Sequence, residues 1–175
     1  FMVDAISSLG CVEYQHDKWA VDVTISGSQK GLMLPPGLGL NAVSEKALEA
    51  SKAASSRVSY WSWKEMIDNN QQGVFPYTPA TNLLYGLEEA LKLLHGEGLS
   101  NVYARHSRLA KATRIAVESW GLENLCVVPE EFSDCLTAVV MPEGHNADNL
   151  RKIILEKFNM SLGTGLGKMK SAIFR

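Results

Sequence analysis

The chain from position 24 to position 39 reads Thr-Ile-Ser-Gly-Ser-Gln-Lys-Gly-Leu-Met-Leu-Pro-Pro-Gly-Leu-Gly, and this stretch decides the fold. It places one lysine, Lys30, in a tight turn between two apolar runs. Gly27, Ser28 and Gly31 lie around the lysine, and residues this small let the backbone approach a ligand closely. A lysine held in such a turn and removed from water can lose its proton near neutral pH and act as nucleophile and base. A solvated turn lysine is the other interpretation that these residues leave open.

Extended segments lie on both sides of this turn. Phe1 to Asp4 has the pattern of the end of a buried strand, and Trp19 to Ser26 alternates apolar and polar residues with a period of two. Leu38 to Val43 resumes an extended apolar pattern, and the segment from Ser44 to Ser56 predicts a short helix capped by its first serine. A carboxylate at the end of a buried strand is costly unless it meets a cation or several donors. Asp4 is therefore a candidate binding residue.

The pattern changes from helical to mixed beyond this region. Residues from Tyr60 to Pro79 predict an irregular segment, whereas leucines at helical spacing predict one helix from Ala80 to Gly98 and a second from Ser100 to Gly121. Further on we expect strands at 125–128 and 136–141, a helix at 147–158 and a last strand at 171–174. This order is typical of a small α+β unit. The predicted domains are therefore residues 1–98 and 99–175.

Composition excludes several classes of protein. The 175 residues carry a formal net charge of −2, so no broad positive surface attracts nucleic acid or an anionic membrane. The three cysteines are Cys11, Cys126 and Cys135, which have no Cys-x-x-Cys spacing and favour structural thiols over a disulfide framework or a metal site. No pair of histidines has the spacing of metal ligands. We expect no bound metal, no nucleic acid and no membrane partner.

Both ends of the sequence fall within apolar runs, at Phe1 to Asp4 and at Ile173 to Arg175. The first residues show no basic segment leading into a signal-type apolar run, and no window approaches the length of a membrane-spanning helix. We therefore expect the chain to be a piece of a longer protein, and the cytoplasm is its expected location, or the peroxisome if the source is eukaryotic.

The string Ser26-Gly-Ser-Gln-Lys-Gly together with Asp4 resembles the class V pyridoxal-phosphate-dependent aminotransferases of the serine–glyoxylate (alanine–glyoxylate) type. The resemblance implies that Lys30 is the catalytic lysine that forms a Schiff base with pyridoxal 5′-phosphate. It implies that Asp4 pairs with the pyridine nitrogen, that Ile6 packs on one face of the ring, and that Gln29 reaches the phosphate. Because Ile6 lies two residues beyond Asp4, extended chain would put both on one side.

Two further positions match the same family. Thr78, in Phe75-Pro-Tyr-Thr-Pro79, matches the threonine that crosses a dimer interface to the phosphate of the neighbouring subunit. Arg175, at the end of Lys168-Met-Lys-Ser-Ala-Ile-Phe-Arg, matches the arginine that binds the substrate α-carboxylate, as planar guanidinium does well. The Gly163-Thr-Gly-Leu-Gly167 lead-in matches too, and it lacks the Gly-Lys-Ser/Thr ending of a nucleotide-binding loop.

The family resemblance implies an α/β fold. This chain would supply the C-terminal part of the large domain of fold type I, with a mostly parallel sheet, and a small C-terminal α+β domain. The implied function is transfer of an amino group from serine, or alanine, to glyoxylate in a homodimer whose active site lies at the interface. Two alternatives stay open: a non-catalytic fragment that folds or dimerises without a complete cofactor site, and a cysteine desulfurase-like enzyme, which the apolar surroundings of the cysteines disfavour.

Overall fold

The computed structural model describes residues 1–56 and 58–175. Its backbone divides into two units, Phe1–Val102 and Tyr103–Arg175. The predicted domain boundary at residues 98 and 99 lies close to this division and stays a prediction.

The first unit is built on a three-stranded sheet in the order β1-β2-β3. The strands are β1 (Met2–Asp4), β2 (Val23–Gly27) and β3 (Gly39–Val43). β1 pairs parallel with β2, and β2 pairs antiparallel with β3, so these three strands form a mixed sheet. β2 is buried on both faces, as expected for a central strand, whereas β1 is largely exposed, contrary to the prediction of a buried strand.

β2 begins later than the alternating pattern predicts. The segment before it forms turns, in which the amide groups of Trp19 and Ala20 donate to the carbonyl groups of Gln15 and Asp17. Ala20 also adopts a left-handed conformation, with a φ of 50°. Turn hydrogen bonds therefore replace ladder hydrogen bonds up to Val21, and the strand prediction from Trp19 was wrong over its first part.

Three helices complete the first unit: α1 (Glu45–Lys52), α2 (Trp63–Asn70) and α3 (Thr81–Glu97). Ser44 caps α1 as predicted, because its hydroxyl accepts from the amide of Ala47 at 3.2 Å. The helix ends at Lys52, before the predicted Ser56. α2 lies inside the segment predicted to be irregular, and Ser62 caps it by accepting from the amide of Glu65. α3 confirms the prediction from the leucine spacing.

α4 (Leu99–Ser119) confirms the second long helix and includes the division between the units. The second unit continues with β4 (Glu123–Asn124), β5 (Val139–Val140), α5 (Ala147–Phe158) and β6 (Ile173–Phe174). The strands form an antiparallel sheet in the order β4-β5-β6. All three are shorter than predicted, and β4 precedes the predicted 125–128, whereas α5 has its predicted bounds.

The second unit packs around a small apolar core. Val117 of α4, Val139 of β5, Ala147 of α5 and Phe174 of β6 are all buried in this core. Half-buried apolar residues pack against it, among them Leu150 and Leu162. The core therefore fixes the start of α5 against the strand that leads to Arg175.

Candidate functional site

The predicted lysine and aspartate follow two neighbouring parallel strands. Asp4 is the last residue of β1 and pairs in register with Ile25 of β2. β2 ends at Gly27, three residues before Lys30. Ligands of α/β proteins bind at the carboxyl ends of parallel strands, because loops that leave the same sheet edge meet there. The fold thus brings Asp4 and the Lys30 turn to the same sheet edge.

The chain turns immediately after Asp4. The amide of Ile6 donates to Asp4 Oδ1 at 2.9 Å, while the amide of Ala5 donates to the carbonyl of Ile25 at 2.8 Å. These bonds orient the exposed carboxylate of Asp4. Ile6 lies in the turn rather than in extended chain, so the prediction that strand geometry places it beside Asp4 was wrong. The turn instead brings Ile6 close to Gly27, since a Cβ built at Gly27 would lie 3.7 Å from Ile6 Cγ2.

Ser28 closes the loop that carries Lys30. Its side chain is fully buried, and its hydroxyl donates to the carbonyl of Pro35 at 2.7 Å while accepting from the amide of Leu38 at 3.2 Å. The backbone of Ser28 also accepts from the amide of Leu34. One buried hydroxyl therefore joins the two ends of the loop, and sequence analysis read this residue only as small.

Gly31 packs the same loop against the turn that follows β1. A Cβ at Gly31 would overlap the carbonyl oxygen of Leu9 and lie 2.8 Å from Cys11 Sγ. Gly10 faces it from the other side and adopts a left-handed φ of 80°. The position tolerates only hydrogen, so a glycine is required here by close backbone approach. The contact places Lys30 one residue from a rigid support.

Lys30 itself is exposed, and its ammonium has no ion pair or hydrogen bond with any residue that the structure describes. In this chain Lys30 is therefore solvated, which is the second of the two interpretations that its sequence leaves open. Gln29 is exposed as well, and a Cβ at Gly27 would lie 2.9 Å from its Oε1. Ile6 and Gln29 therefore flank Gly27, in the same cluster as Asp4 and Lys30.

A hydrogen-bonded group lies behind this cluster on β2. The buried hydroxyl of Thr24 is 2.6 Å from the hydroxyl of Tyr14 and 2.7 Å from Nδ1 of His16. Tyr14 packs edge-on against Trp19, with ring centroids 5.2 Å apart. Tyr14 and His16 therefore serve as hydrogen-bonding partners of the buried Thr24 hydroxyl.

Thr78 lies apart from the Lys30 cluster, on a cavity of about 610 Å³ within the first unit. Residues of β3, α1 and α2 and the segment 75–80 line this cavity. Tyr77 stacks at a tilt on Tyr60, with centroids 4.9 Å apart, and Thr78 is exposed beside it. The predicted role of Thr78 across a dimer interface stays a prediction.

Arg175 belongs to the second unit, where the 163–164 segment holds it. Its amide donates to the carbonyl of Gly163, the amide of Gly163 donates back to the carbonyl of Arg175, and Arg175 Nε donates to the carbonyl of Thr164 at 2.8 Å. A Cβ at Gly163 would lie 3.4 Å from that Nε, so this glycine leaves room for the guanidinium. The lead-in glycines thus cradle the arginine rather than a nucleotide.

Sequence analysis missed Asp148, near the start of α5. Its carboxylate accepts from Ser171 Oγ at 2.6 Å, from Arg151 Nη1 at 2.7 Å and from Thr164 Oγ1 at 3.1 Å. These bonds, with the Ser171 hydroxyl first and the Arg151 guanidinium next, hold the pKa of Asp148 below its usual value. An acidic residue in the first turn of a helix is common, and so its residue type carries no signal of this network.

Comparison with known proteins assigns the family. The sequence profile described as "Aminotransferase class-V" matches residues 1–168, which include Asp4, Lys30 and Thr78. The chain belongs to the class-V aminotransferases. A serine–glyoxylate aminotransferase of Hyphomicrobium methylovorum is 47% identical over 176 residues, which are 99% of this chain and 44% of that protein. An L-aspartate–glyoxylate aminotransferase of Paracoccus denitrificans is 40% identical over 173 residues, again 99% of this chain and 44% of that protein.

Solved structures of other aminotransferases share the fold. The pyridoxamine–pyruvate aminotransferase of Mesorhizobium loti superposes with a TM-score of 0.92 at 32% identity, over 99% of this chain and 45% of that chain. This likeness confirms the predicted α/β fold of type I. This chain spans less than half the length of the relatives that it matches.

Among residues 1–56 and 58–175, no helix is long and apolar enough to cross a membrane. Over the same ranges, no group of three histidine, cysteine, aspartate or glutamate side chains is placed to hold a metal ion. Cys11 is buried, and Cys126 and Cys135 are half-buried free thiols.

Proposed function

We propose that this chain is part of a longer pyridoxal-phosphate-dependent transaminase that moves an amino group from serine, or alanine, to glyoxylate. The products would be glycine and hydroxypyruvate, or pyruvate. The observation that carries the proposal is the meeting of Asp4, Ile6, Gln29 and Lys30 where β1 and β2 end, in a chain of this family. An amine, a carboxylate, an amide and an apolar side chain are the groups that such a cofactor requires from its protein.

The residues present fit pyridoxal phosphate. Asp4 Oδ1 is occupied by the amide of Ile6, and its second carboxylate oxygen has no partner among the residues that the structure describes. The Lys30 ammonium lies on a rigid loop, within reach of solvent, and pairs with none of residues 1–56 and 58–175. Gly27 is buried between Ile6 and Gln29, where a larger side chain would meet the Gln29 amide. The donor set therefore offers an anion, an amine and a small backbone site on one sheet edge.

The chain's own residues divide the chemistry among them. The cofactor, when bound, withdraws electrons from the substrate α-carbon. Lys30 would hold the cofactor through its amine, and its Nζ would accept the proton from the substrate α-carbon. Asp4 would hold the ring nitrogen, and its carboxylate would stabilise a positive charge there. Arg175 binds the substrate carboxylate through its two terminal nitrogens.

Serine is the amino donor that the relatives favour. The relative named for serine is 47% identical to this chain, whereas the relative named for L-aspartate is 40% identical. Both names contain glyoxylate, so glyoxylate is the acceptor that we propose. We also propose that the second unit corresponds to the small domain of the family, that the protein is a homodimer in which Thr78 reaches the partner's cofactor phosphate, and that it resides in the cytoplasm.

The experiment is borohydride reduction of the full-length protein loaded with pyridoxal phosphate, followed by peptide mapping. We expect reduction to fix the cofactor on Lys30 alone and Lys30→Ala to abolish both the label and turnover. Lys64→Ala is the matched control, because Lys64 is also exposed in the first unit and forms a surface ion pair with Asp68. Label on several lysines, or turnover that survives Lys30→Ala, would refute the proposal.

A non-catalytic role is the second candidate for this chain when it is isolated. The observation in its favour is that the chain covers 44% of the serine–glyoxylate relative. Addition of pyridoxal phosphate to the isolated chain tests it. A missing stoichiometric absorbance band would support an incomplete site, whereas a full band with Lys30 labelled would show that the chain forms the cofactor site by itself.

A further inference from the structure

One carboxylate in the second unit connects both segments that hold Arg175. Asp148 lies in the first turn of α5, where Asn146 caps the helix by accepting from the amides of Asp148 and Asn149. The cap and the buried neighbour Ala147 fix the backbone of this turn. The Asp148 side chain is therefore a rigid acceptor, presented from a helix and not from a loop.

The first segment is the one that contacts the guanidinium. Thr164 donates its hydroxyl to Asp148 Oδ1 at 3.1 Å, and the carbonyl of the same residue accepts from Arg175 Nε at 2.8 Å. Arg151 supports this segment as well, since its Nε donates to the carbonyl of Leu162 while its Nη1 donates to Asp148 Oδ1. A shift of Asp148 would thus move the carbonyl that orients Arg175.

The second segment leads into β6 and ends at Arg175. Ser171 donates its hydroxyl to Asp148 Oδ2 at 2.6 Å, and its carbonyl accepts from the amide of Ala147. Ser171 has a φ of 63°, a left-handed conformation that a residue other than glycine adopts only at a cost. The short bond to Asp148 holds this unfavourable turn, and with it the start of the strand that carries the arginine.

Arg175 keeps two donors for a ligand. Its Nε is occupied by Thr164, and no acidic residue that the structure describes pairs with it. Asp148 pairs with Arg151 at 2.7 Å, and within the described part of the chain it forms no ion pair with Arg175. A guanidinium with Nε fixed and both terminal nitrogens free presents the fork that binds a carboxylate in two parallel hydrogen bonds.

We infer that Asp148 is a positioning residue for carboxylate binding: through Thr164 and Ser171 it sets the position and orientation of the Arg175 guanidinium. The inference rests on the proposed role of Arg175 as the group that binds the substrate carboxylate. Asp148, Thr164 and Ser171 act here without contacting the substrate themselves. Their loss lowers affinity for carboxylates in particular.

The test compares two ligands that differ only by a carboxylate. Serine and ethanolamine are titrated separately into the full-length, cofactor-loaded protein, and binding is measured from the first, rapid change in cofactor absorbance, before any amino transfer. In Asp148→Asn we expect the dissociation constant of serine to rise about tenfold, as a misaligned bidentate pair implies, and that of ethanolamine to stay within about twofold. Asp134→Asn is the matched control, because Asp134 pairs with Arg114 in the same unit and has no bond to the Arg175 segments.

Thr164 supplies a second and milder variant. Thr164→Val removes the hydroxyl that donates to Asp148 but keeps the carbonyl that orients Arg175, whereas Thr164→Ser restores the hydroxyl. We expect Thr164→Val to weaken serine binding severalfold and Thr164→Ser to recover it. If Asp148→Asn does not fold, this pair still decides the matter. Equal losses for serine and ethanolamine would overturn the inference, because they would indicate a general structural defect.

Arg175→Lys separates failure of the inference from failure of the proposed function. A loss of serine affinity in Arg175→Lys with none in Asp148→Asn and Thr164→Val would overturn the positioning role alone. Unchanged serine affinity in Arg175→Lys would overturn both, because the arginine would then not bind the carboxylate at all. The inference is supported when Arg175→Lys, Thr164→Val and, where it folds, Asp148→Asn lose affinity for serine and retain it for ethanolamine.

Discussion

Replacement of Gly31 by alanine tests how rigidly the fold supports Lys30. The added methyl group would overlap the carbonyl oxygen of Leu9 and lie 2.8 Å from Cys11 Sγ. Leu9 and Cys11 belong to a turn held by backbone hydrogen bonds from Leu9 to Ala5 and from Cys11 to Ser8. Neither side can move alone, so the loop that carries Lys30 must separate from the turn after β1.

The geometry gives the magnitude. Non-bonded carbon atoms rest about 3.5–4.0 Å apart, so relief of the thiol contact alone requires a shift of about 0.7 Å or more, and the carbonyl overlap requires more. Overpacking of this kind costs about 1–3 kcal/mol in the free energy of unfolding. A misplacement of about 1 Å at a catalytic group costs about 100-fold in rate, and Lys30 is the residue next to the substitution.

Urea unfolding followed by tryptophan fluorescence measures the first effect, and turnover of serine with glyoxylate measures the second. Gly39→Ala is the matched control, since Gly39 lies in the adjacent β3 and a Cβ there would meet nothing within 4 Å. We expect Gly39→Ala to change the unfolding free energy by less than about 1 kcal/mol. A Gly31→Ala protein as stable and as active as the Gly39→Ala protein would refute the close-packing argument.

Two further predictions concern a buried hydroxyl and a carboxylate. Ser28→Ala removes the partner of the Pro35 carbonyl and the Leu38 amide, and should lower the unfolding free energy by about 1–3 kcal/mol. Ser26→Ala loses one hydrogen bond of 3.4 Å, and should lower the unfolding free energy by less in the same urea assay. The folded-state pKa of Asp148 is depressed below its usual value of 3.8, so its contribution to stability is present above pH 3.8 and is lost as the pH falls through the lower folded value. The difference in unfolding free energy between the wild type and Asp148→Asn should therefore be constant from about pH 5 to 7 and disappear in acid; a difference that grows on acidification would contradict this reasoning.

Helices were more predictable than strands in this chain. α3 and α4 follow from leucine spacing, because a helix satisfies its own hydrogen bonds within a few residues. β4, β5 and β6 are only two residues long. Their bounds were poorly predicted, because strand pairing depends on distant partners that no local pattern encodes. α2 was missed although Ser62 and Glu65 stand three apart, the spacing of a capping box, because aromatic residues around them suggested an irregular segment.

The loop of the candidate site was predictable because the residues that form it lie close together in the sequence. Ser28, Gly31 and Lys30 stand within four positions, and Ser28 closes a loop whose other end lies ten residues away. The small residues that this loop needs are therefore visible side by side in the sequence. The exposure of Lys30 was not predictable, because exposure depends on which other parts of the protein cover the loop.

The Asp148 network shows the opposite situation, and it explains why a positioning residue escapes sequence analysis. Thr164 and Ser171 lie 16 and 23 positions after Asp148 in the sequence. These separations are too long for the local pattern of a helix or strand to predict the contacts. Each residue has an ordinary local explanation: an acid at a helix start, a threonine between glycines and a serine in a turn. Among the residues of this network, only Arg175 was predicted to bind a ligand, since the chemistry of its guanidinium suggests one. The groups that orient it become recognisable only when the fold brings their hydrogen bonds together, so an arginine predicted from sequence should be followed by a search for what holds its Nε.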